Sequence, residues 1–132
     1  MNDIPFPPIY PGAAIGIIGG GQLGRMTALA AAQLGYRVHI YTPEAGSPAG
    51  QVATSETVAA YDDVKALGEF ARSVDVVTFE FEKIPAASAH EIVKHTPLRP
   101  APHCLEITQD RVVEKTFLKK AGIATTPFAA VG

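Results

Sequence analysis

A glycine-rich segment at residues 19–24, GGGQLG, most constrains what this chain can fold into, because it matches the pattern G-x-G-x-x-G. The preceding residues 14–18 are apolar and rich in β-branched side chains, which predicts a buried strand. The following residues 22–34 are rich in alanine and leucine, which predicts a helix that stops at Gly35. A glycine turn between a strand and a helix exposes backbone N–H groups at the positive end of the helix dipole. We therefore expect it to bind an anion, usually a phosphate. A tight turn between strand and helix that binds no ligand is the alternative.

The rest of the chain alternates between predicted strands and helices. Further strands are expected at 37–41, 56–60 and 74–79, and helices from Asp62 or Asp63 to about 73, from Pro85 to about 95, over 103–108 and from the cap Asp110 to Gly122, with the beginning of another strand at 126–131. This alternation predicts parallel strands joined by right-handed crossovers. The expected fold is therefore α/β, a small doubly wound parallel sheet that binds ligands beyond the carboxyl ends of its strands.

The composition of the 132 residues excludes several classes of function. With 47% apolar and 18% charged residues, the chain can bury the core of one domain, or of one domain plus the edge of the next. Lys and Arg number 11 against 13 Asp and Glu, so no basic excess favours nucleic acid or an anionic membrane. The single Cys104 excludes a disulfide framework, and the four histidines show no metal-ligand spacing. The low cysteine usage suits a reducing setting, so a cytoplasmic protein is expected. No apolar run approaches the roughly 20 residues that span a bilayer, and the proline-rich residues 1–13 do not resemble a signal peptide.

Two glutamates follow the strand predicted at 74–79. Glu80 and Glu82 belong to the segment TFEFE, and side chains two residues apart lie on the same side of an extended backbone. At the carboxyl end of a buried strand, they would accept hydrogen bonds from sugar hydroxyls or an amine. A pair of solvated loop acids, or a salt bridge to Lys83, explains the same residues equally well.

Two other residues bear on the choice of ligand. A dinucleotide site usually has an acidic residue at the end of the second strand. Here the nearest acid, Glu44, lies beyond Pro43 in a loop, which weakens the case for a nicotinamide cofactor. Arg111, at the start of the last helix, offers a planar fork of donors that suits phosphate. Spacing by itself favours a plain helix start, with Asp110 as the cap and with Arg111 and Lys115 exposed.

Four segments carry a resemblance to a known family: IGIIGGGQLGRM at 15–26, YDD at 61–63, TFEFE at 78–82 and QDRVVEKTFL at 109–118. Together they resemble the N-terminal part of the 5-(carboxyamino)imidazole ribonucleotide synthases, which are ATP-grasp enzymes of purine biosynthesis. The resemblance covers nearly everything from residue 14 onward. It implies a Rossmann-like pre-ATP-grasp domain over residues 14–103. Residues 1–13 would be an extended arm, and residues 104–132 a linking helix and the start of an incomplete ATP-grasp domain.

The resemblance implies an ATP-dependent ligase. Such an enzyme converts 5-aminoimidazole ribonucleotide, ATP and bicarbonate to 5-(carboxyamino)imidazole ribonucleotide, ADP and phosphate, with Mg²⁺. The family's enzymes are much longer, and their magnesium and catalytic residues lie in a later portion. This chain is therefore expected to be a fragment or a truncated product that is inactive alone. A homodimer is compatible with the family.

The resemblance also assigns site residues. Gly21, Gln22 and Leu23 match the family's loop that faces the ribonucleotide phosphate. Glu80 matches a position expected to contact the ribonucleotide, with Glu82 as the second choice for that contact. Arg111 matches the family's arginine that contacts ATP, which reverses the preference from spacing. Two alternatives stay open: an NAD(P)-binding oxidoreductase domain, and a non-catalytic module that binds an anion or a partner.

Overall fold

A computed structural model of the chain describes residues 8–131. Most of the proline-rich arm that the sequence predicts falls on residues 1–7 and so lies outside the described residues. The arm's remaining part is tied to the turn before the second strand. The Tyr36 hydroxyl donates to the Ile9 carbonyl at 3.0 Å, and the Gly12 N–H donates to the Gly35 carbonyl at 2.8 Å.

The described chain folds around a four-stranded sheet in which every pairing is parallel. The strands are β1 (Ala14–Ile18), β2 (Arg37–Thr42), β3 (Ser55–Val58) and β4 (Val76–Phe79), arranged in the order β3-β2-β1-β4. In this register Ile17 of the central strand β1 pairs with Ile40 of β2 and Thr78 of β4. The strand ends that follow these residues therefore meet at one edge of the sheet.

Helices cover both faces of the sheet. They are α1 (Gln22–Gln33), α2 (Val64–Arg72), α3 (Ala86–Ile92), α4 (Pro102–Thr108) and α5 (Arg111–Lys120). Ile17 packs in a core cluster with alanines of α1, whereas Ile18 packs in a second cluster with residues of α2, α3 and α4. Because successive side chains of a strand point to opposite faces, the two clusters lie on opposite sides of the sheet. The predicted α/β, doubly wound fold is confirmed.

The helix boundaries show the local signals at work. Gly35 ends α1 at φ 83° and Gly122 follows α5 at φ 76°, a left-handed conformation that glycine adopts without strain. The Asp63 carboxylate caps α2 by accepting from the Ala66 N–H at 3.0 Å. The Asp110 carboxylate accepts from the first amides of α5 at 2.8 and 2.9 Å. These four predictions are confirmed.

Two sequence expectations about the elements were wrong. Residues 126–131 form no strand, because a strand needs a hydrogen-bonded neighbour and the described residues offer none beside this segment. Helix α3 ends at Ile92 and not near His95, since the N–H groups of Lys94 and His95 donate to carbonyls only three residues back, at 3.2 and 3.0 Å, in place of the four-residue spacing of an α-helix. Pro97 then disfavours a helical residue before it. Of the helices described here, none is long and apolar enough to cross a membrane.

Candidate functional site

A cleft of about 360 Å³ opens at the carboxyl ends of β1, β2 and β4, where the fold class predicts ligand binding. We call it the glycine-loop cleft. Its lining combines loop backbone, two carboxylates and two aromatic rings: Gly20, Gly21, Thr42, Pro43, Glu44, Pro48, Tyr61, Glu80 and Phe81. Among the predicted site residues, Gly21 and Glu80 are therefore brought together, and Gln22 and Leu23 begin the helix beside them.

The Glu80 carboxylate binds the glycine loop itself. One oxygen accepts from the Gly21 N–H at 3.1 Å and the other from the Gly24 N–H at 2.5 Å. The sequence predicts that Glu80 accepts from a ligand, and its contact with the loop was not foreseen. The Glu80 carboxylate therefore already occupies part of the positive N-terminus of α1.

Two backbone donors remain open at this helix end. Nothing in residues 8–131 accepts a hydrogen bond from the N–H groups of Gln22 and Leu23. Both side chains are exposed. The first turn of α1 therefore still offers donors to an anion, although fewer than an empty loop would.

The loop after β2 forms the second wall of the cleft. The residues that hold this loop in place were not identified from the sequence. The Glu56 carboxylate accepts from the Ser47 hydroxyl at 2.6 Å, from the Ser47 N–H at 3.2 Å and from the Gly46 N–H at 3.1 Å. The Ser47 hydroxyl bond in particular holds the pKa of Glu56 below its ordinary value. The Ala49 N–H then donates to the Gly20 carbonyl at 2.9 Å, which joins this wall to the glycine loop.

Arg25 also belongs to this wall. Its guanidinium donates to the Pro48 carbonyl at 2.8 Å and to the Gln51 side chain at 2.9 Å. In the structure it fastens α1 to the loop.

Aromatic rings close the far side of the cleft. The Tyr61 and Phe81 rings meet edge to face with centroids 5.5 Å apart. Burial raises the pKa of Tyr61, and the charges of Glu80 and Glu44 act in the same direction. In the described chain no lysine or arginine lines the cleft. Carboxylates beside an apolar wall suit a flat ring that carries an amine or hydroxyl donors.

A second cleft, of about 210 Å³, contains Arg111 and Glu82. Arg111 is 84% exposed and bonds Glu114 at 2.7 Å, which raises the pKa of Arg111. Glu80 and Glu82 thus face different clefts, and the expectation that they share a side was wrong. The backbone bends after Phe79, and Gln109 holds the bent segment through the Glu82 carbonyl at 2.8 Å. Side-chain alternation applies only to an extended chain.

The histidines and the cysteine lie apart from both clefts. His90 bonds Glu106 at 2.7 Å and His95 bonds Glu91 at 3.1 Å, and the Cys104 sulfur lies 3.6 Å from Nε2 of its neighbour His103. Within residues 8–131, no three His, Cys, Asp or Glu side chains converge as metal ligands.

The comparison with protein families decides the family. The model of the ribonucleotide synthetase preATP-grasp domain matches residues 13–109, which include every strand and helices α1 to α4. This chain belongs to that family. The match covers the glycine-loop cleft and stops just before Arg111.

Individual relatives agree with the family. The N5-carboxyaminoimidazole ribonucleotide synthase of Brucella melitensis is 54% identical over 93% of this chain and 34% of its own length. An ADP complex of the Staphylococcus aureus N5-carboxyaminoimidazole synthetase superposes with a TM-score of 0.88, at 40% identity over 93% of this chain and 33% of that one. The Aspergillus clavatus synthase, solved with ADP and 5-aminoimidazole ribonucleotide, superposes with a TM-score of 0.77. The two are 28% identical, and the match covers 84% of this chain and 30% of that one. The chain thus spans about a third of the length of these three relatives.

Proposed function

We propose that this chain is the ribonucleotide-binding part of an ATP-dependent carboxylating ligase. The reaction would convert 5-aminoimidazole ribonucleotide, ATP and bicarbonate to 5-(carboxyamino)imidazole ribonucleotide, ADP and phosphate in purine biosynthesis. The observation that carries the proposal is 54% identity to a synthase of this reaction across nearly the whole chain, glycine-loop cleft included. A nicotinamide-dependent oxidoreductase is not favoured, because the family and the relatives are ribonucleotide synthetases and synthases.

The ribonucleotide would occupy the glycine-loop cleft. The open N–H groups of Gln22 and Leu23 would donate to its sugar-phosphate end, while Gly21 lets the ligand approach the backbone closely. Each Glu80 oxygen accepts one hydrogen bond from the loop and has further lone pairs, so Glu80 can accept from the exocyclic amine as well. The imidazole ring would then pack against the wall that Tyr61 and Phe81 form.

ATP would approach from the second cleft. Arg111 projects into solvent there, and its fork of donors can exchange Glu114 for phosphate oxygens. Glu82 lines this same cleft, so it is the weaker candidate for the ribonucleotide.

In the reaction, bicarbonate oxygen attacks the γ-phosphoryl group, which releases ADP and forms carboxyphosphate. The amine nitrogen then attacks the carbonyl carbon, phosphate leaves, and the amine loses a proton. Glu80 would orient the amine for that attack. The resemblance implies Mg²⁺, but none of the residues described forms a cluster that could bind this ion.

We also propose a domain division slightly different from the one expected at residue 103. Leu105 of α4 is 0% exposed within the core cluster on the α2 side of the sheet, whereas α5 buries no residue. The ribonucleotide-binding domain would therefore include α4 and end near Gln109. A cytoplasmic location and a homodimer are part of this proposal on the strength of the sequence resemblance.

A thermal-shift panel on the purified chain tests the proposal. A ligand that binds only the native state stabilises it by about 2.7 kcal/mol at a hundredfold excess over Kd. We expect 5-aminoimidazole ribonucleotide to raise the melting temperature, NADH to leave it unchanged, and the Gly21→Val variant to lose the response. A shift with NADH alone would support an oxidoreductase domain. No shift with any phosphate compound would contradict ribonucleotide binding and favour a non-catalytic module.

A further inference from the structure

All three glycines at the invariant places of the G-x-G-x-x-G pattern face one side chain, that of Glu80. A Cβ atom added to Gly21 would lie 2.7 Å from Oε1 of Glu80, and one added to Gly24 would lie 2.6 Å from Oε2. A Cβ atom on Gly19 would collide with the Glu80 Cγ atom. Real Cβ atoms essentially never come that close to another heavy atom, so each of these positions needs glycine while Glu80 lies there.

The same carboxylate supplies a cap that α1 lacks. The N-cap residue is Gly21, which has no side chain to accept from the first amides of the helix. A capping box normally satisfies the N-cap N–H and the third helical N–H with two local side chains. Here these two N–H groups belong to Gly21 and Gly24, and both donate to Glu80, which lies 59 and 56 residues away in the sequence.

We propose that Glu80 is a positioning residue of the ribonucleotide site. From the end of β4 its carboxylate caps α1 and fixes the glycine loop, so that the N–H groups of Gln22 and Leu23 are presented to the ligand in one arrangement. Removing the carboxylate leaves the Gly21 and Gly24 N–H groups to water. The identity of the ligand rests on the proposed function, but the cap itself belongs to the ligand-free chain.

Amide exchange with solvent measures this cap directly. A charge-assisted hydrogen bond contributes roughly 1.5–3 kcal/mol, so we expect the Gly21 and Gly24 amides of Glu80→Ala to exchange about tenfold to a hundredfold faster than in the wild type, by NMR. Their proton resonances should also move upfield. The Glu82→Gln variant is the matched control, because Glu82 faces the other cleft, and it should leave both amides unchanged.

A second variant separates the cap from general loss of structure. In Glu80→Gln only one side-chain oxygen remains as an acceptor, so one of the two amides should stay slow while the other becomes fast. The Gly35 amide, which donates to the Ala32 carbonyl at the far end of α1, reports whether the helix is intact. If Gly21 and Gly24 exchange at wild-type rates in both Glu80 variants, the cap does not exist.

Ligand titration then distinguishes the two proposals. If 5-aminoimidazole ribonucleotide fails to bind the wild-type chain while the exchange results hold, the proposed function fails and the cap stands. If the ribonucleotide binds with equal Kd to wild type and Glu80→Ala, the positioning role is overturned although the function survives. A rise in Kd for both the ribonucleotide and ribose 5-phosphate, which lacks the amine that Glu80 would also contact, supports both proposals when it accompanies the faster exchange. A rise for the ribonucleotide alone would overturn the positioning role.

Discussion

At the scale of single residues, two glutamates organise the cleft by collecting backbone donors. Glu80 holds the glycine loop, and Glu56 holds the loop after β2 through Gly46 and Ser47. Ser47 is only 3% exposed, so its hydroxyl needs the partner that Glu56 provides at 2.6 Å. Both walls of the cleft therefore depend on carboxylates from other parts of the chain. Glu80 lies 59 and 56 residues from the amides it binds, and Glu56 lies 10 and 9 residues from its own.

Gly20 lies where these two walls touch. A Cβ atom there would lie 2.6 Å from both Cβ and Oγ of Ser47 and 2.8 Å from Oγ1 of Thr42. Because Glu56 fixes Ser47, we expect Gly20→Ala to push the loop outward and to lower the free energy of unfolding by about 1–3 kcal/mol. Urea denaturation measures the change, and the thermal response to 5-aminoimidazole ribonucleotide should weaken in parallel.

Gly68 provides the control for that substitution. It lies inside α2, and a Cβ atom added there would come within 3.3 Å of the Arg72 guanidinium and of the His95 ring, both on side chains that can shift. Glycine inside a helix is unfavourable by roughly 0.5–1 kcal/mol relative to alanine. Gly68→Ala should therefore leave stability unchanged or raise it. Equal destabilisation by the two substitutions would mean that the contact with Ser47 is not what matters at Gly20.

At the scale of secondary-structure elements, the start of α2 offers a matched pair of acids. The sequence allows Asp62 or Asp63 to cap the helix, and the structure gives the cap to Asp63 through the Ala66 N–H. Replacing a capping Asp by Ala costs about 1 kcal/mol. We expect that loss for Asp63→Ala and almost none for Asp62→Ala in chemical denaturation. Similar losses for both variants would show that their shared negative charge acts, and not the capping bond.

Helices α4 and α5 differ in what covers them. Leu105 of α4 is fully buried, whereas Phe117 of α5 is 49% exposed. We therefore expect Leu105→Ala to destabilise the chain by about 2–5 kcal/mol and Phe117→Ala by less than about 0.5 kcal/mol. Urea denaturation of both variants checks the contrast. A large loss in Phe117→Ala would place α5 in the cooperative core, against the proposed domain end near Gln109.

At the scale of the whole molecule, range along the chain decides what the sequence could predict. The stop at Gly35 and the cap at Asp63 act on amides within three or four residues, so composition and spacing were enough. The parallel direction of the strands followed from the alternation of strands and helices, because two strands joined by a helical crossover run the same way. The bond from Glu80 to the Gly21 amide crosses 59 residues and depends on β4 lying beside β1, which no local pattern encodes.

The whole chain should respond to acid in two separate pH ranges. Burial lowers the pKa of His39 from 6.5, with its ring held between the Ser73 hydroxyl at 2.9 Å and the Thr57 hydroxyl at 2.8 Å. The hydrogen bonds that Glu56 accepts lower its pKa from 4.5. In both cases the unfolded chain binds the proton more readily than the native state does. Stability must therefore fall as the pH falls, first below about 6.5 and again below about 4.5.

Two variants assign these losses. His39→Gln cannot titrate, so the decrease in unfolding free energy that begins below about pH 6.5 should shrink, while the decrease at lower pH stays. Glu56→Gln should be less stable at neutral pH by roughly 1 kcal/mol and should lose less on acidification below about 4.5. Its lower step is reduced and not abolished, because hydrogen bonds from Lys94 and His95 lower the pKa of Glu91 in the same range. Urea denaturation across the pH range measures both variants. An unchanged upper step in His39→Gln would show that other groups cause it, since this variant removes the titration of His39 from the balance.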